Sequence, residues 1–390
     1  MTIYRYARQA EILGASIYDH SPGAILLSSG LAYPPLLPDV AHEAAGAARR
    51  PHQALQYGPL MGIADLREAI CQFVAADGVA CTPDNVLITY GAKDALDLAC
   101  RVFIEPGDRI IVTRPTYMTA LQIMRAHGAA FVSVGQDEDG LDTDELEAQL
   151  KRLEANGERA PKLLFDVPDF HNPTGITTSK ARRMRLVELA RAHGFIILED
   201  DPYRRVRFHG EAVAPVKSFD RDGVVVALGT VSKILAPGLR VGWAIGDREV
   251  VARMAMHKAN GGTSPFAQRI VADLMRSDKL AEHISQLSAA MRLHRDVMVE
   301  ALAAHCPQAA VRTPQGGYFL WLTLPEDMDA ERVASLALEH GVEVSSGRLC
   351  FPNQAPANHL RLAYSFAGPE DIRRGIAGLG KACDEYRARP

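Results

Sequence analysis

The run Gly229-Thr230-Val231-Ser232-Lys233-Ile234-Leu235-Ala236-Pro237-Gly238-Leu239-Arg240-Val241-Gly242-Trp243 decides how this chain is read. It follows a wholly apolar run, Val224 to Leu228, and leads into a second, mostly apolar stretch, Leu239 to Ile245, read as the next strand with Arg240 at its opening. A short stretch that is apolar throughout and bounded by Gly or Pro reads as a strand buried on both faces. A Ser-Lys pair directly after such a strand stands where open parallel sheets bind ligands, beyond the carboxyl ends.

Working outward, comparable runs occur at Val86 to Tyr90, Arg109 to Thr113, Leu163 to Val167 and Phe195 to Leu198. Between them, Thr143 to Ala155 and Ser179 to His193 carry apolar residues at roughly helical spacing and predict crossover helices. The pattern implies an α/β domain, a mainly parallel sheet with helices on both faces. From about Leu280 the texture changes to a long helix over Ala281 to Ala303, strand-like Tyr318 to Leu324 and His359 to Phe366, and a closing helix from Pro369. That is read as a smaller α+β domain. The expected division is a large domain over 46–280 and a small domain from 1–45 and 281–390, the first residues forming a helix and an N-terminal arm. At 390 residues, two lobes are expected rather than one growing core.

With a net charge of -4 and no basic run, the chain lacks the electrostatic footprint of a nucleic-acid binder. Its six cysteines show neither disulfide-framework nor metal-ligand spacing, so free thiols, no metal and a cytoplasmic location are expected. The first residues lack a signal-peptide pattern and no apolar stretch reaches about 18 residues, so no membrane association is expected.

The residues that follow the strands form one chemical set. Gly91, Ala92 and Lys93 begin a helix, Tyr117 follows Arg109 to Thr113, and Asn172 follows Leu163 to Val167. Asp200 and Tyr203 follow Phe195 to Leu198, and Thr230, Ser232 and Lys233 follow Val224 to Leu228, with Arg240 close by. Pyridoxal phosphate would use all of them. Its phosphate takes helix N-terminal N–H groups, hydroxyls and a guanidinium (Gly91 to Lys93, Thr230, Ser232, Arg240). Its ring takes an aromatic partner, Tyr117, and its pyridine nitrogen takes a carboxylate, Asp200. Its phenolic oxygen takes donors from Asn172 and Tyr203, and its aldehyde takes an amine, Lys233. Alone, Asn-Pro or Asp-Pro is ordinary turn chemistry, and most lysines are solvated; the joint placement gives these residues their weight.

Asn-Pro-Thr-Gly at 172–175, Glu-Asp-Asp-Pro-Tyr at 199–203 and the run at 229–243 resemble class I/II aminotransferases, closest to the branch holding 2-aminoadipate and kynurenine aminotransferases. The resemblance runs from about Gly30 to the C-terminal helix. It implies fold-type I architecture, with a three-layer large domain around a mainly parallel seven-stranded sheet. It also implies a homodimer with shared sites and ping-pong transfer of an amino group from an L-amino acid to a 2-oxo acid. By motif, Tyr57 in Gln-Tyr-Gly-Pro-Leu-Met-Gly corresponds to a tyrosine that reaches the neighbouring site. Arg361 in Leu-Arg-Leu-Ala-Tyr corresponds to the arginine that clamps the substrate carboxylate, and Gly30 to a glycine beside it. His171 and Gly316-Gly317 are read as structural.

Two departures stand out. Lys93 lies where relatives carry a polar neutral residue, and Tyr18, in a shortened Gly14–His20 segment, lies where relatives with acidic substrates place an arginine. The second argues against a dicarboxylate preference. On the same fold, a lyase or another specialised biosynthetic enzyme is the rival outcome, because fold does not select among the fates of one carbanion. A ligand-sensing regulator is less favoured: its DNA-binding module would need some 60 residues ahead of Gly30.

Overall fold

The computed structural model describes residues 20–388. The predicted helix in the first residues and Tyr18 lie outside them.

The apolar runs form one seven-stranded sheet in the order Val86–Thr89, Gly242–Ile245, Val225–Thr230, Ile196–Asp200, Leu163–Asp166, Arg109–Thr113, Ala130–Val134. Five consecutive strands, from Val225–Thr230 to Ala130–Val134, pair in parallel. Gly242–Ile245 runs antiparallel to both of its neighbours, which places Val86–Thr89 in the common direction. The carboxyl ends of six strands therefore share one edge with the start of the seventh. The interior strands are apolar on both sides because helices cover both faces. Ile110, Ile111, Leu163, Leu164, Phe165 and Leu198 are withdrawn from water, each large side chain contributing about 1.5–3 kcal/mol by its burial.

Thr143–Ala155 and Lys180–His193 are helices as expected. Asp142 caps the first by accepting from the N–H groups of Asp144 and Glu145, and Gly194, in the left-handed region, ends the second. The strand Ala130–Val134 was not expected from the sequence: it lies at the sheet edge, only Val134 is fully buried, and Ala130 is exposed. Its apolar signal is correspondingly weak.

Arg240 does not open a strand. It adopts φ 52° in a left-handed turn after Pro237–Leu239, and the strand starts at Gly242. Glycine is required there, since a Cβ on Gly242 would lie 2.5 Å from the carbonyl carbon of Gly91.

The C-terminal region holds the long helix Asp278–His305 and a four-stranded sheet in which Phe319–Thr323 and His359–Ala363 pair antiparallel. Ile25–Leu26 joins this region by pairing in parallel with Val342–Glu343, bringing the segment around Gly30 over the edge of the large sheet. Among the described residues, no helix is long and apolar enough to cross a membrane.

Gly242→Ala should push the strand away from Gly91; we expect a loss of about 2 kcal/mol or more in urea unfolding.

Candidate active site

A cavity of about 750 Å³ opens at the shared edge of the sheet, within the range of small-molecule sites. Every site residue expected from the sequence lines it except Tyr57. Tyr57 is 85% exposed and sits against the chain at Gly261, away from this cavity.

Helix Ala92–Phe103 begins at Gly91, whose φ of 88° suits glycine. A Cβ there would also lie 2.9 Å from Nη2 of Arg240. Arg240 in turn donates to the carbonyl oxygens of Tyr90 (3.1 Å) and Pro237 (3.2 Å), so the helix start and the guanidinium face the cavity as one unit. Next to them, the Thr230 hydroxyl lies 2.9 Å from that of Ser232 and accepts from the Ser232 N–H at 3.1 Å. Together these form a cationic, donor-rich corner suited to a phosphate.

Lys233 follows on the same turn, with Nζ donating to the carbonyl oxygen of Gly30 at 2.6 Å. Burial, reinforced by the charges of Lys93, Arg361 and Arg240, brings its pKa down to about 8. A neutral amine is thus accessible near physiological pH, which both nucleophilic and base chemistry need. Asp200 ends the strand next to Lys233's. Burial, then repulsion from Asp201, pushes its carboxyl up to about 7, and its Oδ1 is buried with no partner. A cation seated on that oxygen would restore the carboxylate, which fits a protonated pyridine nitrogen. Tyr203 is buried and its phenol is pushed well above the usual range, so it stays a donor.

Arg361 is buried rather than solvent-facing. Its Nη1 donates to Oδ1 of Asn172 (3.2 Å) and its Nη2 to the carbonyl oxygen of Ser28 (2.7 Å), while Nε is buried without a partner. That is a guanidinium fixed in place with donor capacity left for a carboxylate. His171 is structural as expected: buried, its pKa brought down to about 3 by burial, and 3.0 Å from the hydroxyls of Thr113 and Thr174. At Gly316 and Gly317 a side chain would collide with Phe170.

Sequence reasoning missed two aromatics. The Phe319 ring lies 4.6 Å from the Arg361 guanidinium and excludes a side chain at Gly30. The Tyr318 hydroxyl donates to the Lys233 carbonyl oxygen at 2.6 Å. Both lie on the strand-like run at Tyr318 to Leu324, but nothing local in that run points to the cavity. No cluster of metal-ligating side chains occurs among the described residues.

Residues 22–377 match the family model for aminotransferases class I and II. The chain is 36% identical to aromatic-amino-acid aminotransferase 1 of Thermococcus litoralis, over 93% of this chain and 88% of that one. It is 35% identical to 2-aminoadipate transaminase of Thermus thermophilus, over 93% and 90%. Its structure superposes on kynurenine aminotransferase of Pyrococcus horikoshii, determined with PMP, with a TM-score of 0.90 at 32% identity, covering 97% of each chain.

Asp200 carries a testable signature. Its folded-state pKa lies above the ordinary 3.8, so the folded cofactor-free protein binds the extra proton between those values and loses stability as pH rises through that window. Asp200→Asn should remove this loss: the cofactor-free variant should melt above the wild type at pH 8, the difference shrinking toward pH 4, while transamination collapses.

Proposed function

The chain belongs to the class I and II aminotransferases and is a pyridoxal phosphate-dependent enzyme, and we propose that Lys233 is the residue that binds the cofactor and moves the proton at the substrate α-carbon. The observation that carries this reading is the meeting, in one cavity, of a desolvated lysine with two buried unpartnered polar atoms, Oδ1 of Asp200 and Nε of Arg361.

When bound, the cofactor supplies an aldehyde that captures amino groups and a ring that accepts the electron pair released at the α-carbon. Around it, Gly91, Ala92, Lys93, Thr230, Ser232 and Arg240 hold the phosphate. Tyr117, at the start of helix Met118–Ala126, covers the ring. Asp200 holds the ring-nitrogen proton, and Asn172 and Tyr203 donate to the phenolic oxygen. Arg361 orients the substrate through its carboxylate, beside the backbone of Gly30. Lys233 has the lowered basicity that would let it act as a neutral amine, taking the α-proton of a bound amino acid and giving it back. The substrates are amino acids and 2-oxo acids, in a ping-pong sequence in which donor and acceptor use the same site in turn.

The active form is a homodimer in which Tyr57 reaches its partner's phosphate. Support comes from exposed apolar side chains on the same segment as Tyr57: Leu55 is 73% exposed and Leu60 45% exposed. Exposed apolar side chains close together in the chain suit an interface. The large domain spans 46–280, and the small domain combines 1–45 with 281–390, a grouping supported by the pairing of Ile25–Leu26 with Val342–Glu343. Six free cysteines suit a reducing, cytoplasmic setting.

Mixing Lys233→Ala with Tyr57→Phe chains tests both assignments. Half of randomly assorted dimers would be hybrids with one intact site, so activity should recover to about a quarter of wild type. Recovery no greater than the sum of the separate variants would contradict a shared site.

A further inference from the structure

Behind the residues that line the cavity, and not among them, lies a knot of buried charges that the chemistry above does not use. At its centre is Asp169, 1% exposed. Its Oδ2 accepts from Nη1 of Arg183 (2.9 Å) and pairs with Nη2 of Arg204 (3.0 Å), and its Oδ1 accepts from Nη2 of Arg207 (3.2 Å). Burial pushes the Asp169 carboxyl up, but Arg204 and Arg183 outweigh it and hold the group ionised.

The two arginines clasp different loops and meet again on a third segment, where Nη1 of Arg183 donates to the carbonyl oxygen of Ala214 (3.2 Å) beside the Val213 carbonyl held by Arg204. Arg183, with no exposed surface, donates from Nη2 to the carbonyl oxygen of Pro168 (3.0 Å) and from Nε to that of Thr178 (2.9 Å). It thereby closes both ends of the loop bearing Asn172. Arg204 follows Tyr203 directly. Its Nε donates to Asp201 (2.5 Å), its Nη1 donates to the carbonyl oxygen of Val213 (2.7 Å), and its Nη2 lies 3.5 Å from Glu199. It thereby fixes the segment Glu199–Arg204 that bears Asp200 and Tyr203. Asp169 is a buried carboxylate that touches both guanidinium groups and so joins the two clasps. Arg207 also reaches Asp169 but closes neither loop; it lies over the Phe170 ring at 4.6 Å.

We propose that Asp169, acting through Arg183 and Arg204, is a positioning residue that sets the spacing of Asn172 and Tyr203, the two donors to the cofactor's phenolic oxygen. This rests on the cofactor assignment above. Fully desolvated, multiply bonded charges are rigid because each departure leaves an uncompensated charge in a low dielectric. That rigidity is transmitted to the two donors. Donors on the phenolic oxygen compete for its lone pairs with the proton on the lysine nitrogen. They thereby lower the pH at which that proton leaves, so loosening them raises it.

The test compares Asp169→Asn, Arg204→Lys and Arg207→Gln, each loaded with pyridoxal phosphate. The readouts are the pH midpoint of the visible band, the dissociation constant of the cofactor and the melting temperature of the cofactor-free protein. The expected result is a midpoint raised by roughly one unit and cofactor binding weakened about tenfold in the first two variants. Arg207→Gln should lower only the melting temperature. If Asp169→Asn does not fold, Arg204→Lys, which keeps the charge but loses the fork, decides alone. Unchanged midpoints with lowered melting temperatures would overturn the proposal, as would equal shifts in all three variants. A Lys233→Ala control that keeps the visible band would overturn the lysine assignment beneath it.

Discussion

The structure is organised around the removal of two opposite charges from water at the ends of adjacent strands, Lys233 and Asp200. Asp200 is buried and Lys233 half-buried, and burial moves both toward neutrality, the lysine down to about 8 and the aspartate up to about 7. Neither state is comfortable for the empty protein, and each would become favourable if, as proposed, a ligand brought an aldehyde to one and a cationic nitrogen to the other. The strain of burying ionisable groups is thus the source of both affinity and reactivity.

Apolar strands make this possible. Because helices shield both sheet faces, polar side chains are admitted mainly at the shared edge, where the chain turns out of each strand. The donor-rich corner at Gly91, the carboxylate of Asp200 and the amine of Lys233 come from three such turns. The small domain then brings Arg361 and Gly30 over the top, with Phe319 packed between them. Arg183 and Arg204, paired on Asp169, bond the two loops that bear Asn172 and Tyr203. Covering layers, edge and knot are therefore parts of one arrangement.

Much of this was legible in the sequence because it is local. Strand followed by ligand residue is a pattern of neighbouring positions, and it was sufficient to bring Lys233, Asp200, Asn172 and the phosphate group of residues to one cavity. Arg361 required the resemblance to known aminotransferases, since on periodicity alone it reads as a solvent-facing arginine. What escaped was non-local or weakly patterned. Ala130–Val134 lies at an edge and is only partly buried. Arg240 belongs to a left-handed turn that apolar flanks disguise as strand. Tyr318 and Phe319 matter through contacts with Lys233 and Arg361, distant in sequence. Asp169, Arg183 and Arg204 look like surface charges one by one and become a unit only when three segments meet.

The most direct test of the account is the visible spectrum of the purified, cofactor-loaded protein, read before and after a panel of amino acids, with the matching 2-oxo acids assayed. Loss of the lysine-bound cofactor's band with stoichiometric 2-oxo acid, and its return on adding a second 2-oxo acid, is the predicted result. A protein that acquires no such band when given pyridoxal phosphate, or whose band bleaches with release of ammonia and no return, would contradict it.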